Sequence, residues 1–320
     1  MSDLSRIGKF SSVFIKTDAD GFLGRECPEE KCKGYFKIQP SPDLQKKNIF
    51  YYCPYCGHFA RYDHFWTKKQ IKYVHSMVTR KFVDAIHKDL KKMEFNHKPH
   101  GNFGIEISMK VSRNSKYPIR QYREKKLKTE VVCKHCTLRY AIYGVFAFCP
   151  NCGKHNSLQI LDINLGVVEK MLVLAGDVDI DVADRLIENA LEDCVSAFDG
   201  FGRELCRRHA GHSTNPKKAE KISFQNLEGA MKNVAVLFSF NLSDLITSDE
   251  WTFLYRGFQK RHLIAHNMRI VDQAYINKVD DMEAIIGRII SVSEKDVRLT
   301  MLAVRKLADG ITEKMAGLNS

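Results

Sequence analysis

No apolar run in the 320 residues approaches the roughly 20 residues that a membrane-spanning helix needs. The opening stretch, Met1 to Lys16, mixes charges with serines and lacks the central apolar segment of an export signal. The chain is therefore expected in the cytoplasm, with no membrane partner. Residues 161–320 also lack a phosphate-cradling glycine loop and a Ser-His-Asp motif, which removes two common routes to hydrolysis.

Ten cysteines without an export signal argue against disulfides, because a reducing compartment keeps thiols free for metals. Eight of them fall into two quartets. Cys27 and Cys32 precede Cys53 and Cys56, and Cys133 and Cys136 precede Cys149 and Cys152. Paired cysteines on tight turns supply the four sulfurs of a tetrahedral Zn²⁺ cage. Both second knuckles read Cys-Pro-x-Cys-Gly, Cys53 to Gly57 and Cys149 to Gly153, where Pro fixes φ on entry and Gly can take positive φ on exit. Each follows a β-like run, Ile49 to Tyr52 and Val145 to Phe148. The spacing predicts two structural zinc ions, with His58 a substitute ligand in the first site. Four cysteines leave no open position for a catalytic water. Cys194 and Cys206 sit in an apolar-periodic stretch and are expected to be small buried hydrophobes.

Charge divides the chain. Residues 1–160 hold 30 Lys and Arg against 14 Asp and Glu, a formal +16, and residues 161–320 hold 20 against 24, a formal −4. Two filled cages add −8 from thiolates and +4 from zinc, so about +12 survives in the first half. That surface suits RNA, or DNA; lysines that only keep a domain soluble are the plainer reading.

Thr67 to Glu94 reads as an amphipathic helix with a Thr67/Gln70 capping box and an apolar stripe of Ile71, Val74, Val78, Phe82, Ile86, Leu90 and Met93. Phe103 to Ile107 alternates like a strand and leads into a basic stretch, Arg113 to Lys128, interleaved with Tyr117 and Tyr122, which could follow phosphates and stack on bases. From residue 161 the periods are helical. Ile180 to Leu205 carries Leu186, Ile187, Ala190, Leu191, Cys194, Phe198, Phe201 and Leu205; Ser223 to Phe238 carries Leu227, Met231, Val234 and Phe238. Thr247/Glu250 and Ser293/Asp296 have capping-box spacing, the second pair ahead of Val297, Met301, Val304, Leu307 and Ile311. The expected fold is α+β: a zinc ribbon over 1–62, a linking amphipathic helix over 63–100, a second ribbon with a basic strand region over 101–160, and an all-α bundle over 161–320.

Arg261-His262-Leu263-Ile264-Ala265-His266 sets one Arg and two His within six residues. His262 and His266 share a helix face. The residues alone allow three readings: cations at a helix end, a two-His metal half-site, or Arg and His acting together on a phosphate. Arg207, Arg208, His209 and His212 form a second cluster, expected to be helix C-terminal cations.

An Arg, a polar residue and a His inside a bundle of this size resemble the signature of the HEPN superfamily, and His266-Asn267 followed by Val271 to Tyr275 is similar to what often follows that motif in bacterial conflict systems. The resemblance covers about residues 165–318. It implies a metal-independent endoribonuclease, a hydrolase of the toxin or antiviral-defence kind, that dimerises to bring two motifs together. His266 would handle the 2′-hydroxyl proton, Arg261 the phosphorane charge, and His262 would orient the pair. The alternative is a non-catalytic, zinc-dependent nucleic-acid-binding or regulatory protein whose helical half only dimerises.

Overall fold

The computed structural model describes residues 15–40, 50–97, 107–112, 115–127 and 129–318. The chain divides into two compact units, Met1–Lys154 and His155–Ser320.

The first unit is mixed. Its strands are β1 (Leu23–Glu26), β2 (Tyr35–Ile38), β3 (Phe50–Tyr52), β4 (Phe59–Arg61), β5 (Phe95–His97), β6 (Ile107–Met109), β7 (Thr129–Val132) and β8 (Arg139–Ile142), with helix α1 (Lys68–Lys91) between β4 and β5. Although the sequence suggests two successive ribbons, their hairpins join in one antiparallel sheet of order β1-β2-β8-β7. The link is β2 on β8, with Lys37 opposite Ala141 and Ile38 opposite Tyr140. A lone two-stranded hairpin is marginal in water, and pairing two of them edge to edge satisfies backbone groups that each would leave exposed. One core results. Phe36, Ile38, Phe65, Tyr140 and Ile142 pack with Cys27, Cys53, Cys133 and Cys149.

The expected strand over Val145 to Phe148 does not form. Phe148 instead donates its N–H across to Pro54 O. Of the alternating stretch at Phe103 to Ile107, all but Ile107 lies outside the described residues, as do Ile49, Arg113 and Lys128.

Helix α1 starts where the capping box predicts, with Thr67 and Gln70 bonded reciprocally. Its packing differs from expectation. Ile71, Phe82, Leu90 and Met93 remain exposed, while Gln70, Ser76 and Ala85 are buried. The segment 115–127 explains the polar burial: Gln70 Nε2 donates to Gly24 O and to Tyr122 Oη, and Ser76 Oγ accepts from Arg120 N–H. Hydrogen bonds, rather than the apolar stripe, seat the first half of this helix.

The second unit is helical, built from α2 (Ser157–Ala175), α3 (Ile180–Arg208), α4 (Pro216–Ala219), α5 (Leu227–Phe238), α6 (Ser248–His266), α7 (Gln273–Lys278) and α8 (Glu294–Gly317). The described residues here form no strand, and an isolated bridge joins Ile270 to Ile289. Helices α2, α3, α6 and α8 enclose a core of Leu161, Leu172, Leu191, Phe198, Phe201, Phe258, Val304 and Leu307. Cys194 and Cys206 are fully buried in it, as small hydrophobes. Both expected capping boxes are present, at Thr247/Glu250 and Ser293/Asp296. Helix α5 begins later than its periodicity suggests, because the Asn226 side chain caps it by accepting from Gly229 N–H. Gly257 lets α6 approach α8 closely: a Cβ there would lie 2.3 Å from Thr300 Oγ1.

Candidate metal centres and the Arg-His cluster

The cysteine knuckles are built by backbone hydrogen bonds. Cys53 N–H donates to His58 O and Gly57 N–H returns to Cys53 O, at 2.8 and 2.9 Å. Cys149 with Lys154 and Gly153, and Cys133 with Leu138 and Thr137, repeat the same pair of bonds. Gly57 and Gly153 hold φ of +72° and +70°, the left-handed exit that their sequence position predicts. Thr137 and Lys33 take the same region without glycine, at +59° and +46°. In the wider first knuckle the closing bond runs from Cys27 N–H to Gly34 O, so two extra residues are absorbed without displacing the sulfurs.

The eight sulfurs form the two quartets that the spacing predicts, each with its Sγ atoms within 4.8 Å of one another. Sulfur pairs across the knuckles lie 3.7 Å apart for Cys27/Cys56, Cys32/Cys53 and Cys133/Cys152, and 3.4 Å for Cys136/Cys149. A tetrahedral four-sulfur cage with metal–sulfur bonds of about 2.3 Å has edges of roughly 3.8 Å, so the donors fit one ion per quartet. Burial pushes the Cys27 thiol up to about 12 and Cys152 up to about 11, and raises Cys53 and Cys149 further still. Such thiols give up their protons when a central dication supplies the compensating charge. His58 stands beside Glu29 at 3.7 Å and is not needed as a ligand.

Helix α1 and the segment packed on it both present cations to solvent. Lys68, Lys69, Lys72, Lys81, Lys88 and Lys91 of α1 are exposed, as are Arg123, Lys125 and Lys126. Tyr117 is exposed, and Tyr122 is half-buried, accepting from Gln70 Nε2 at its hydroxyl with its ring 6.2 Å from that of Tyr73.

In the second unit Arg261, His262 and His266 occupy the last turns of α6. The two imidazoles are exposed, with ring centroids 5.0 Å apart and planes 52° from parallel. Arg261 is half-buried, and its Nε has no hydrogen-bond partner among the described residues. The chain then reverses sharply through Met268 and Arg269, both left-handed at φ +49° and +68°. Two consecutive non-glycine residues there store strain. The turn is held by Arg269 N–H to Leu263 O, by the Arg269 guanidinium on Glu188 at 2.6 Å, and by Asn267 Nδ2 to Ile270 O at 2.7 Å.

The reversal brings Asp272 and Lys278 within electrostatic range of His262. Burial lowers the His262 pKa first, and His266, Lys278 and Arg261 lower it further against the pull of Asp272. Below the motif, buried Lys260 reaches Ser291 O at 2.9 Å, Asp296 at 3.0 Å and Asp281 at 3.8 Å. Sequence reasoning missed Lys260, Lys278 and Asp281. Asp272, in the stretch after the motif, caps α7 by accepting from Tyr275 N–H at its Oδ1.

The second basic cluster closes on a carboxylate. Glu204 accepts two bonds from Arg207 and lies 3.3 Å from His155 Nε2. Arg208 stands 3.1 Å from His209 Nε2, while His209 Nδ1 is buried without a partner among the described residues. Burial, then Arg208, lowers His209 to about 4. These cations serve the end of α3, and only Arg207 and His212 face solvent.

No family model, no curated protein and no solved structure matches this chain.

Proposed function

We propose that this protein is a metal-independent endoribonuclease, acting as a homodimer in the manner its HEPN resemblance implies, as a toxin or antiviral defence effector. A two-zinc basic module, its first unit, holds the RNA. The observation that carries the reading is the gathering of Arg261, His262 and His266 at one solvent-facing helix end. An imidazole titrates near neutrality, as an acid or base must, and a guanidinium is a permanent, fork-shaped partner for phosphate. His266 takes the ribose 2′-hydroxyl proton, the 2′-oxygen attacks the adjacent phosphorus, and Arg261 balances the added charge. A protonated imidazole returns a proton to the departing 5′-oxygen, leaving a 2′,3′-cyclic phosphate and a 5′-hydroxyl.

One exposed motif leaves the chemistry open to water, and a second copy supplies both cover and the complementary acid. Exposed Met268, Ile270, Ile285, Ile286 and Ile289 follow the motif in sequence and offer an apolar face for that copy. Zinc is the ion assigned to both quartets because all-thiolate, four-coordinate cages are its structural habit. The nucleic-acid surface is assigned to the lysines of α1 with Arg123, Lys125 and Lys126.

The test is incubation of the purified chain with RNA in excess EDTA, with zinc content checked afterwards. Cleavage to cyclic-phosphate ends is expected, with loss of cleavage but not of dimerisation in His266→Ala. RNA binding without cleavage, or undiminished cleavage by His266→Ala, would return the chain to the class of binding modules.

A further inference from the structure

We infer that the two metal sites form one cooperative unit, in which neither quartet holds its ion at full affinity while the other is open. The inference rests on the zinc reading above. Its basis is a reciprocal clasp between the two second knuckles. Tyr52, the residue before Cys53, donates its N–H to Pro150 O at 2.9 Å, and Phe148, the residue before Cys149, donates to Pro54 O at 2.8 Å. Each acceptor is the proline between the cysteines of the opposite knuckle. The glycines repeat the exchange: Gly153 lies under the Tyr52 ring, where a Cβ would sit 2.9 Å from the ring, and Gly57 faces the Phe148 ring, where a Cβ would sit 3.4 Å away.

Two further links cross between the ribbons. Gln39 N–H extends the β2-β8 pairing by donating to Arg139 O at 2.9 Å. Tyr55, inside the Cys53/Cys56 knuckle, donates its hydroxyl to Tyr35 O at 2.6 Å and accepts from Tyr143 N–H at 3.0 Å, so one side chain of the first cage braces the chain just beyond β8. One ligand from each knuckle, Cys27, Cys53, Cys133 and Cys149, belongs to the common core.

The physical consequence follows from how metal binding drives folding. A cysteine knuckle without its ion has little to hold its turn, because binding and folding of such a site are one equilibrium. When one cage opens, its Pro carbonyl and aromatic N–H no longer stand where the other knuckle needs them. The remaining ion must then organise its own knuckle without the clasp, and its affinity falls. Coupling between sites is reciprocal, so opening either quartet weakens the other by the same factor. Independent ribbons, each closing on its own strands, would show no such dependence.

The experiment uses the full chain and zinc itself. Elemental analysis of the parent should give two ions per chain, released together in a chelator titration followed with a chromogenic zinc indicator. Cys56→Ser disables the first quartet at an exposed ligand, and Cys152→Ser disables the second. Each variant should bind zinc at its intact quartet at least about tenfold more weakly than the parent does. Helical circular dichroism reports separately that the second unit stays folded. Tyr55→Phe leaves all eight ligands in place and should split the single release into two phases. One firmly held ion in each serine variant, with parent-like affinity, would overturn the coupling while leaving the zinc reading intact. A parent chain without zinc would remove the zinc reading itself.

Discussion

Replacing Lys260 with Met keeps most of the side chain's volume and removes its charge from the interior of the helical unit. The side chain is 5% exposed and sits among Ser291 O, Asp296 and Asp281. Asp281 is 6% exposed and Asp296 22%, so the substitution removes the countercharge from two carboxylates, one of them deep, with Asp281 keeping its bond from Tyr275 Oη. Breaking a buried pair by removing one partner costs about 3–5 kcal/mol. Asp296 keeps its bonds from Ser293 N–H and Oγ, which places the expected loss near the lower end, about 3 kcal/mol. At about 2–4 °C per kcal/mol for a unit of this size, the helical melting transition should fall by roughly 6–12 °C. The pH dependence has a definite sign. Burial acts upward on Asp296, but Ser293 N–H and the Lys260 charge outweigh it and hold the carboxyl below its ordinary 3.8. A depressed carboxylate gives stability that is present above its unfolded value and lost as pH falls through the folded one. The gap between parent and Lys260→Met, read by circular dichroism at 222 nm, should therefore be full at pH 7 and shrink below about pH 4. Lys260→Met/Asp281→Asn should recover part of the loss. A loss under about 1 kcal/mol at neutral pH, or a gap indifferent to pH, would refute the assignment of Lys260 as a buried electrostatic anchor.

His209 predicts a second pH effect in the same unit. Its folded pKa near 4 lies below the ordinary 6.5, so the unfolded chain takes up the proton first as pH falls. Stability present above about pH 6.5 should decline steadily toward pH 4, and His209→Gln should flatten that decline; an unchanged slope would count against it. RNA affinity of the full chain, measured by fluorescence anisotropy, should fall steeply with salt, and Lys69→Glu/Lys72→Glu should weaken binding and make the salt slope shallower. Binding that is salt-independent or untouched by the double substitution would leave those lysines as solubilising groups.

Local signals in this sequence were legible where one residue type has one physical use. The capping boxes at Thr67, Thr247 and Ser293, the positive φ of Gly57 and Gly153, and the composition of both quartets all follow from backbone geometry and ligand chemistry that act over a few residues. What escaped was long-range. The pairing of β2 with β8 joins residues about a hundred positions apart, and nothing in the local pattern of either hairpin says which edge it will cover. The apolar stripe of α1 misled for a related reason. Periodicity shows that a face is apolar, not that the rest of the unit has a surface to lay against it. Gln70, a polar residue in that helix, became the buried one because Gly24 and Tyr122 offered it partners. Lys260 was invisible in the same way, since a lysine beside Arg261 reads as one more surface cation until Asp281 and Asp296 fold over it.

The division of charge gives the two units different tasks in the proposed ribonuclease. Residues 161–320 carry a formal −4, and a polyanion approaching them meets repulsion as well as Arg261 and the two imidazoles. In that reading one guanidinium and two imidazoles face a net repulsive background. The proposal therefore gives holding to the first unit, where two filled cages, contributing −8 + 4, would still leave about +12. Four of the eight sulfurs, those of Cys27, Cys53, Cys133 and Cys149, are buried, whereas Cys56 and the lysines of α1 stand on the surface. Filled cages would thus leave most of the basic unit's field in place. Weakening that field should raise the RNA concentration needed for half-maximal cleavage while leaving the cleavage rate at saturation intact. His266→Ala should do the reverse, abolishing the saturated rate without altering binding. If the Lys69→Glu/Lys72→Glu chain lost its saturated rate instead, those lysines would belong to the chemistry, and the separation of holding from cutting would fail.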